Sequence, residues 1–94
     1  MKAFRHAAAL ALVGWYLLAP PLGPNKEARS AAPLKEWANF GSYDTAKECT
    51  DDRANQVQFW MSDAAKNSQY KRGTLAELAH SVCIASDDPR LKGN

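Results

Sequence analysis

Two cysteines, Cys49 and Cys83, constrain this chain more than any other feature, because it has only 94 residues. That length holds one domain. Domains of this size bury little surface, and many need a covalent staple. The two residues are 34 steps apart. Both fall on positions that read as core-facing, one on a helix and one in a strand. If the chain is exported, an even number of such cysteines reads as a disulfide. Loop closure over this span stabilises the fold by about 3–4 kcal/mol. In the cytosol the same pair would read as two buried thiols.

The beginning of the chain carries the pattern of export. Lys2 and Arg5 precede thirteen uncharged residues, Ala7 to Ala19. This is the length of a signal-peptide apolar region and shorter than the roughly 20 residues of a membrane span. Trp15-Tyr16-Leu17-Leu18 also makes a good β-strand, set off by Gly14 and by Pro20-Pro21. The division expected is therefore an export segment over 1–14, extending at most to about 30, and a disulfide-linked domain over 15–94. An export segment of ordinary length would then start upstream of Met1. Without Lys2 and Arg5 the chain is neutral, with ten basic and ten acidic side chains from residue 15 onward. A neutral body argues against a nucleic-acid partner, which needs a basic footprint.

Further along, Leu22 to Pro33 reads as a surface loop and Glu36 to Phe40 as a strand. Gly41-Ser42 breaks clean alternation there. Asp44-Thr45-Ala46-Lys47-Glu48 is a helix start, with Thr45 and Glu48 in the spacing of a capping box. From there to Lys66 there is no Gly or Pro, and Ala46, Cys49, Arg53, Val57, Trp60 or Met61 and Ala64 recur at three- and four-residue steps. This predicts one long amphipathic helix with Arg53 among apolar neighbours. Gly73 reads as a stop, Thr74 to Ala79 as a short second helix capped by Thr74, and Val82 to Ala85 as a buried strand. Leu75, Leu78 and Ala79 would face inward. Ser86-Asp87-Asp88-Pro89 is a turn in which Asp87-Asp88 pairs with Arg90, followed by a frayed polar tail.

The elements predict an α+β fold: a small two-layer β-β-α-β domain with a three-stranded sheet, one long helix on one face and one disulfide, Cys49–Cys83. The three tryptophans, Trp15, Trp37 and Trp60, are expected in the core. Residues that could carry chemistry are few. His80 with Cys83 resembles a nucleophile pair only while Cys83 keeps a free thiol. His80, Asp87 and Asp88 could be assembled into a metal or acid–base site, without a recognised ligand spacing. His80 otherwise sits at a helix C-terminus, where imidazole suits the dipole. Asp51-Asp52-Arg53 reads as a solvated face. No phosphate loop, nucleophile elbow or CxxC is present.

Three stretches carry a resemblance. They are Trp15-Tyr16-Leu17-Leu18-Ala19-Pro20-Pro21, Gly41-Ser42-Tyr43-Asp44-Thr45-Ala46 with Cys49 following, and Cys83-Ile84-Ala85-Ser86-Asp87-Asp88-Pro89-Arg90-Leu91-Lys92. Over most of 15–50 and 82–92 the chain resembles a group of uncharacterised small bacterial exported proteins with two cysteines. The resemblance implies an export signal ahead of the Trp-Tyr segment, and it lends the chain no particular activity. The expectation is a periplasmic or secreted, non-enzymatic structural or interaction module with an unidentified protein partner, no cofactor and no bound metal. It would touch a membrane only through an uncleaved N-terminal segment. The rivals are an inner-membrane-tethered protein and an enzyme or metal-binding protein built on His80 and Asp87/Asp88.

Overall fold

The computed structural model describes residues 13–92. Of the segment expected to direct export, 1–14, all but the last two residues lie outside them. At the centre is strand β1, Trp15–Ala19, with β2, Ala38–Tyr43, and β3, Val82–Ala85, antiparallel on either side in the order β2-β1-β3. Tyr16 faces Ser42 on one neighbour and Ile84 on the other. The register with β2 slips between Leu17, opposite Gly41, and Leu18, opposite Asn39. Phe40 is therefore an extra residue, a bulge that bends β2.

Helix α1, Ala46–Met61, follows β2 directly. Its capping box is complete: Thr45 Oγ1 accepts from the Glu48 N–H at 3.0 Å, and Glu48 Oε1 accepts from the Thr45 N–H at 3.1 Å. A second helix, α2, spans Lys71–Ala79. Among the described residues, no helix is long and apolar enough to cross a membrane.

Alternation along β1 sends Leu17 and Leu18 to opposite faces of the sheet. On the helical face, fully buried Leu17, Cys49 and Leu78 form a cluster with Trp15, Phe40, Tyr43, Val57, Trp60 and Cys83. Each such aliphatic side chain contributes roughly 1.5–3 kcal/mol on burial. The other face is covered as well. Leu18, Leu34 and Ile84 pack there with Tyr16, Trp37 and Leu91 under two short 3-10 turns, Leu34–Glu36 and Pro89–Lys92. All three tryptophans are half-buried against one cluster or the other.

Cys49 and Cys83 are bonded, with Cα atoms 6.1 Å apart and Cys49 wholly buried. The bridge ties the first turns of α1 to β3, which stands opposite Leu17 of β1.

Several boundaries differ from the sequence expectation. The strand expected over Glu36–Phe40 runs over Ala38–Tyr43 instead. Pro33, with φ −57°, leads into a 3-10 turn at Leu34 that Trp37 closes, its N–H donating to the Leu34 carbonyl at 3.0 Å. The bulge then absorbs Gly41-Ser42 into the strand. Helix α1 stops at Met61, short of Lys66. Ser62 turns extended, its Oγ donating to the Phe59 carbonyl at 2.6 Å. A hydroxyl competing for a backbone acceptor favours such an exit.

Gly73 is inside α2 and not at a stop, and Thr74 is not its cap. The Thr74 N–H donates to the Tyr70 carbonyl at 2.9 Å. The helix begins from a turn at Ser68, whose Oγ accepts from the Tyr70 N–H at 3.1 Å. Ala79, expected inside, is exposed. The tail expected to fray forms a 3-10 turn over Pro89–Lys92, with Leu91 held by the second cluster. The loop from Leu22 contains a small hairpin, with Leu22 bridged to Ala28 and Lys26 at φ 65°.

Candidate functional site

The β2–α1 junction holds an open hollow of about 400 Å³, lined by Ser42, Tyr43, Asp44, Glu48 and Asp52. Tyr43 is the last residue of β2. Asp52 and Gln56 are one turn apart on α1, so their side chains share a face. The Tyr43 hydroxyl donates to Asp52 Oδ2. Gln56 Nε2 donates to the same oxygen at 2.8 Å and to the Phe40 carbonyl at 3.2 Å. One glutamine thus joins the helix to the bulge of the strand.

Burial pushes the Tyr43 phenol up to about 12, and the bond to Asp52 adds to the shift. The same bond, with the one from Gln56, holds the Asp52 carboxyl below its ordinary range against the opposing effect of burial. Near neutral pH the phenol is a fixed donor and the carboxylate a fixed acceptor. Neither is poised to pass a proton. Glu48, on the rim, is engaged in the capping box. Of the residues lining the hollow, Tyr43 and Asp52 are occupied in joining α1 to β2.

Of Asp51-Asp52-Arg53, only Asp51 lies on a solvated face, paired with Lys47 at 2.6 Å on the open surface. Asp52 and Arg53 turn inward. Arg53 Nε donates to Ser81 Oγ at 2.8 Å, and its Nη2 to the carbonyls of Leu78 at 3.0 Å and Ala79 at 3.2 Å. Ser81, itself buried, donates to the Leu78 carbonyl at 2.7 Å. Arg53 therefore caps the C-terminus of α2, where cationic charge favours the dipole. Its place on the apolar stripe was the sign of this role. No spacing in the sequence announced the pairing of Tyr43 with Asp52.

His80 is exposed at the end of α2, its N–H on the Glu77 carbonyl at 3.1 Å. Cys83 is in the disulfide and offers no thiolate to it. Asp88 is paired with Arg90 at 2.9 Å, which lowers the Asp88 carboxyl. Among the described residues, no three His, Cys, Asp or Glu side chains gather where a metal ion would be held. The hollow at the β2–α1 junction contains neither His80 nor Asp87 nor Asp88.

The two edges of the sheet differ. On β2 the bulge interrupts the ladder, Asn39 Oδ1 accepts from the Gly41 N–H at 2.8 Å, and Gln56 occupies the Phe40 carbonyl. These are devices that blunt an edge. On β3 the register is unbroken. The Ser86 N–H donates to the Gly14 carbonyl at 2.8 Å, and the Gly14 N–H to Ser86 Oγ at 3.0 Å. Counting back in antiparallel alternation from that pair, Ile84 and Val82 bond to β1, while Cys83 and Ala85 turn their backbone groups outward. The Ala85 carbonyl accepts from the Asp88 N–H at 3.0 Å. Among the described residues, no side chain bonds to the outward N–H groups of Cys83 and Ala85.

Comparison with known proteins found no matching family model, no matching curated protein and no matching solved structure.

Proposed function

We propose that this chain is an exported, non-enzymatic interaction module, periplasmic or secreted, that receives an extended segment of a partner protein along β3. The observation that carries this reading is the contrast between the two edges. One is blunted by a bulge and two side chains, and the other is left with outward N–H groups. Strand addition draws its affinity from such main-chain groups. The disulfide fits an oxidising compartment, and the basic start followed by an apolar block fits export to one. The bridge also fixes β3 to α1, so the receiving strand is rigid before a partner arrives. Pre-organisation of this kind lowers the cost of binding.

The test uses a photo-crosslinking side chain at Val82, an exposed position on β3, in cells that express the full chain. Ala85→Pro removes one outward N–H without removing a bond to β1, a change that edge strands tolerate. The crosslinked partner is expected at Val82, lost in Ala85→Pro, and absent when the crosslinker is moved to Ser42 on β2. Equal capture from both edges, or capture unaffected by Ala85→Pro, contradicts the reading.

A further inference from the structure

Three of the four exposed large apolar side chains of the described residues fall within one short stretch: Phe59 at 51% exposure, Met61 at 66% and Tyr70 at 64%. The stretch is the tip of the hairpin made by α1 and α2. Successive turns tie it down, through the Ala65 N–H on the Ser62 carbonyl at 3.2 Å and the Ser68 N–H on the Ala65 carbonyl at 3.0 Å. The charges there are Lys66, Lys71 and Arg72 against Asp63 alone. Lys26, from the Leu22–Ala28 hairpin, brings its ammonium over Gly73 beside them. The acidic residues Asp44, Glu48, Asp51 and Asp52 lie on or just before the first turns of α1, at the other end of the helix.

We infer that this tip docks end-on to an anionic lipid bilayer. Phe59 and Met61 are two residues apart, which separates them by about 200° around the helix. A rigid groove on a protein meets one face of a helix and would take one of them. A fluid headgroup layer takes both, together with Tyr70, when the end of the hairpin enters it. Trp60 is held in the core and its ring packs edge-on against Phe59, with centroids 5.3 Å apart. This holds the outward Phe59 ring in place. Aromatic and apolar side chains with a rim of Lys and Arg are the composition of interfacial anchors, and the cations are attracted to anionic lipid. The contact is distinct from any made by the N-terminal apolar block, and it does not depend on the β3 edge.

The test is co-sedimentation of the full chain with vesicles of phosphatidylcholine alone or mixed with phosphatidylglycerol. The expected result is binding at least tenfold tighter to the anionic vesicles, falling as salt is raised. Lys66→Glu/Lys71→Glu/Arg72→Glu should reduce it to the phosphatidylcholine level. Phe59→Ser/Met61→Ser/Tyr70→Ser should weaken it by a comparable factor, with the disulfide intact in both variants. Equal binding to both vesicle types, or binding that both variants retain, assigns the contact to the N-terminal block and overturns the inference. So does a tip that captures an acidic protein but never an anionic vesicle. Should a combined variant fail to fold, the single charge reversals Lys66→Glu and Arg72→Glu, both at exposed positions, decide the outcome: each should weaken anionic binding, and unchanged binding in both overturns the inference.

Discussion

The ring of Tyr43 lies over Gly41, two residues back on the same strand, and a Cβ at position 41 would run into the phenol. This absence of a side chain lets Tyr43 lie along β2 and reach Asp52 on α1. The pair joins helix to strand next to the bulge. Tyr43→Phe removes the donor and leaves the ring, so urea denaturation at pH 7 should show a loss of about 1.5–3 kcal/mol, the range for hydrogen bonds to charged groups. Gly41→Val should cost at least as much, since it displaces the ring. An unchanged midpoint in Tyr43→Phe would show that the bond adds nothing to the fold.

The same pair predicts a pH dependence at both ends of the scale. The folded state holds the Asp52 carboxyl below 3.8. Its contribution is complete above the unfolded value and is lost as the pH falls through the lowered one. The Tyr43 phenol moves the other way, from 10.0 to about 12. Its contribution is complete below 10 and disappears as the pH rises through about 12. Chemical denaturation across pH should show both declines in the unmodified chain. In Tyr43→Phe the alkaline decline should shrink and the acid decline should weaken.

Arg53 is the only described side chain that donates to both Ser81 and the last carbonyls of α2. Arg53→Met keeps the apolar stem and removes three donated bonds. The expected cost is about 2–3 kcal/mol, because buried acceptors lose a charged donor. Hydrogen exchange should accelerate selectively at the His80 and Ser81 amides while the Thr45–Glu48 cap stays protected. Uniform acceleration would mean that Arg53 acts on the whole fold and not on the end of α2.

Glu77 works against the fold. Burial on α2 raises its carboxyl above the ordinary 4.5. A raised carboxyl favours the folded state at low pH, and that advantage fades as the pH rises through the folded value. Glu77→Gln should therefore raise the thermal midpoint at pH 7, and the gain should vanish near pH 4, where the native carboxyl is protonated. A gain that is constant with pH would point to helix propensity instead.

Much of this architecture could be read from the residues alone. Trp15 to Leu18 and Val82 to Ala85 are strands because their β-branched and aromatic content and flanking turns leave little else. Asp44 or Thr45 marked the start of α1, and the structure uses Thr45 with Glu48. The disulfide followed from two cysteines on core-facing positions. Features that depend on tertiary contact were not legible. The bulge at Phe40 exists because Gln56 and Asn39 satisfy the backbone it frees. Ser62 ends α1 early through one hydroxyl bond. Gly73 stays helical although glycine costs about 1 kcal/mol there, in a helix that Leu78 anchors in the core and Arg53 caps. The covered second face depends on Leu34 and Leu91, which are far apart in the chain and sit in segments with no regular period.

The central claim is that one covalent bond holds α1 against β3 in the protein as the cell makes it. The direct measurement is alkylation of the natural protein under denaturing conditions without reductant, followed by intact and peptide mass spectrometry. The account predicts no alkylated cysteine and a linked peptide pair containing Cys49 and Cys83. Two alkylated cysteines would contradict it and remove the oxidising compartment from the proposal.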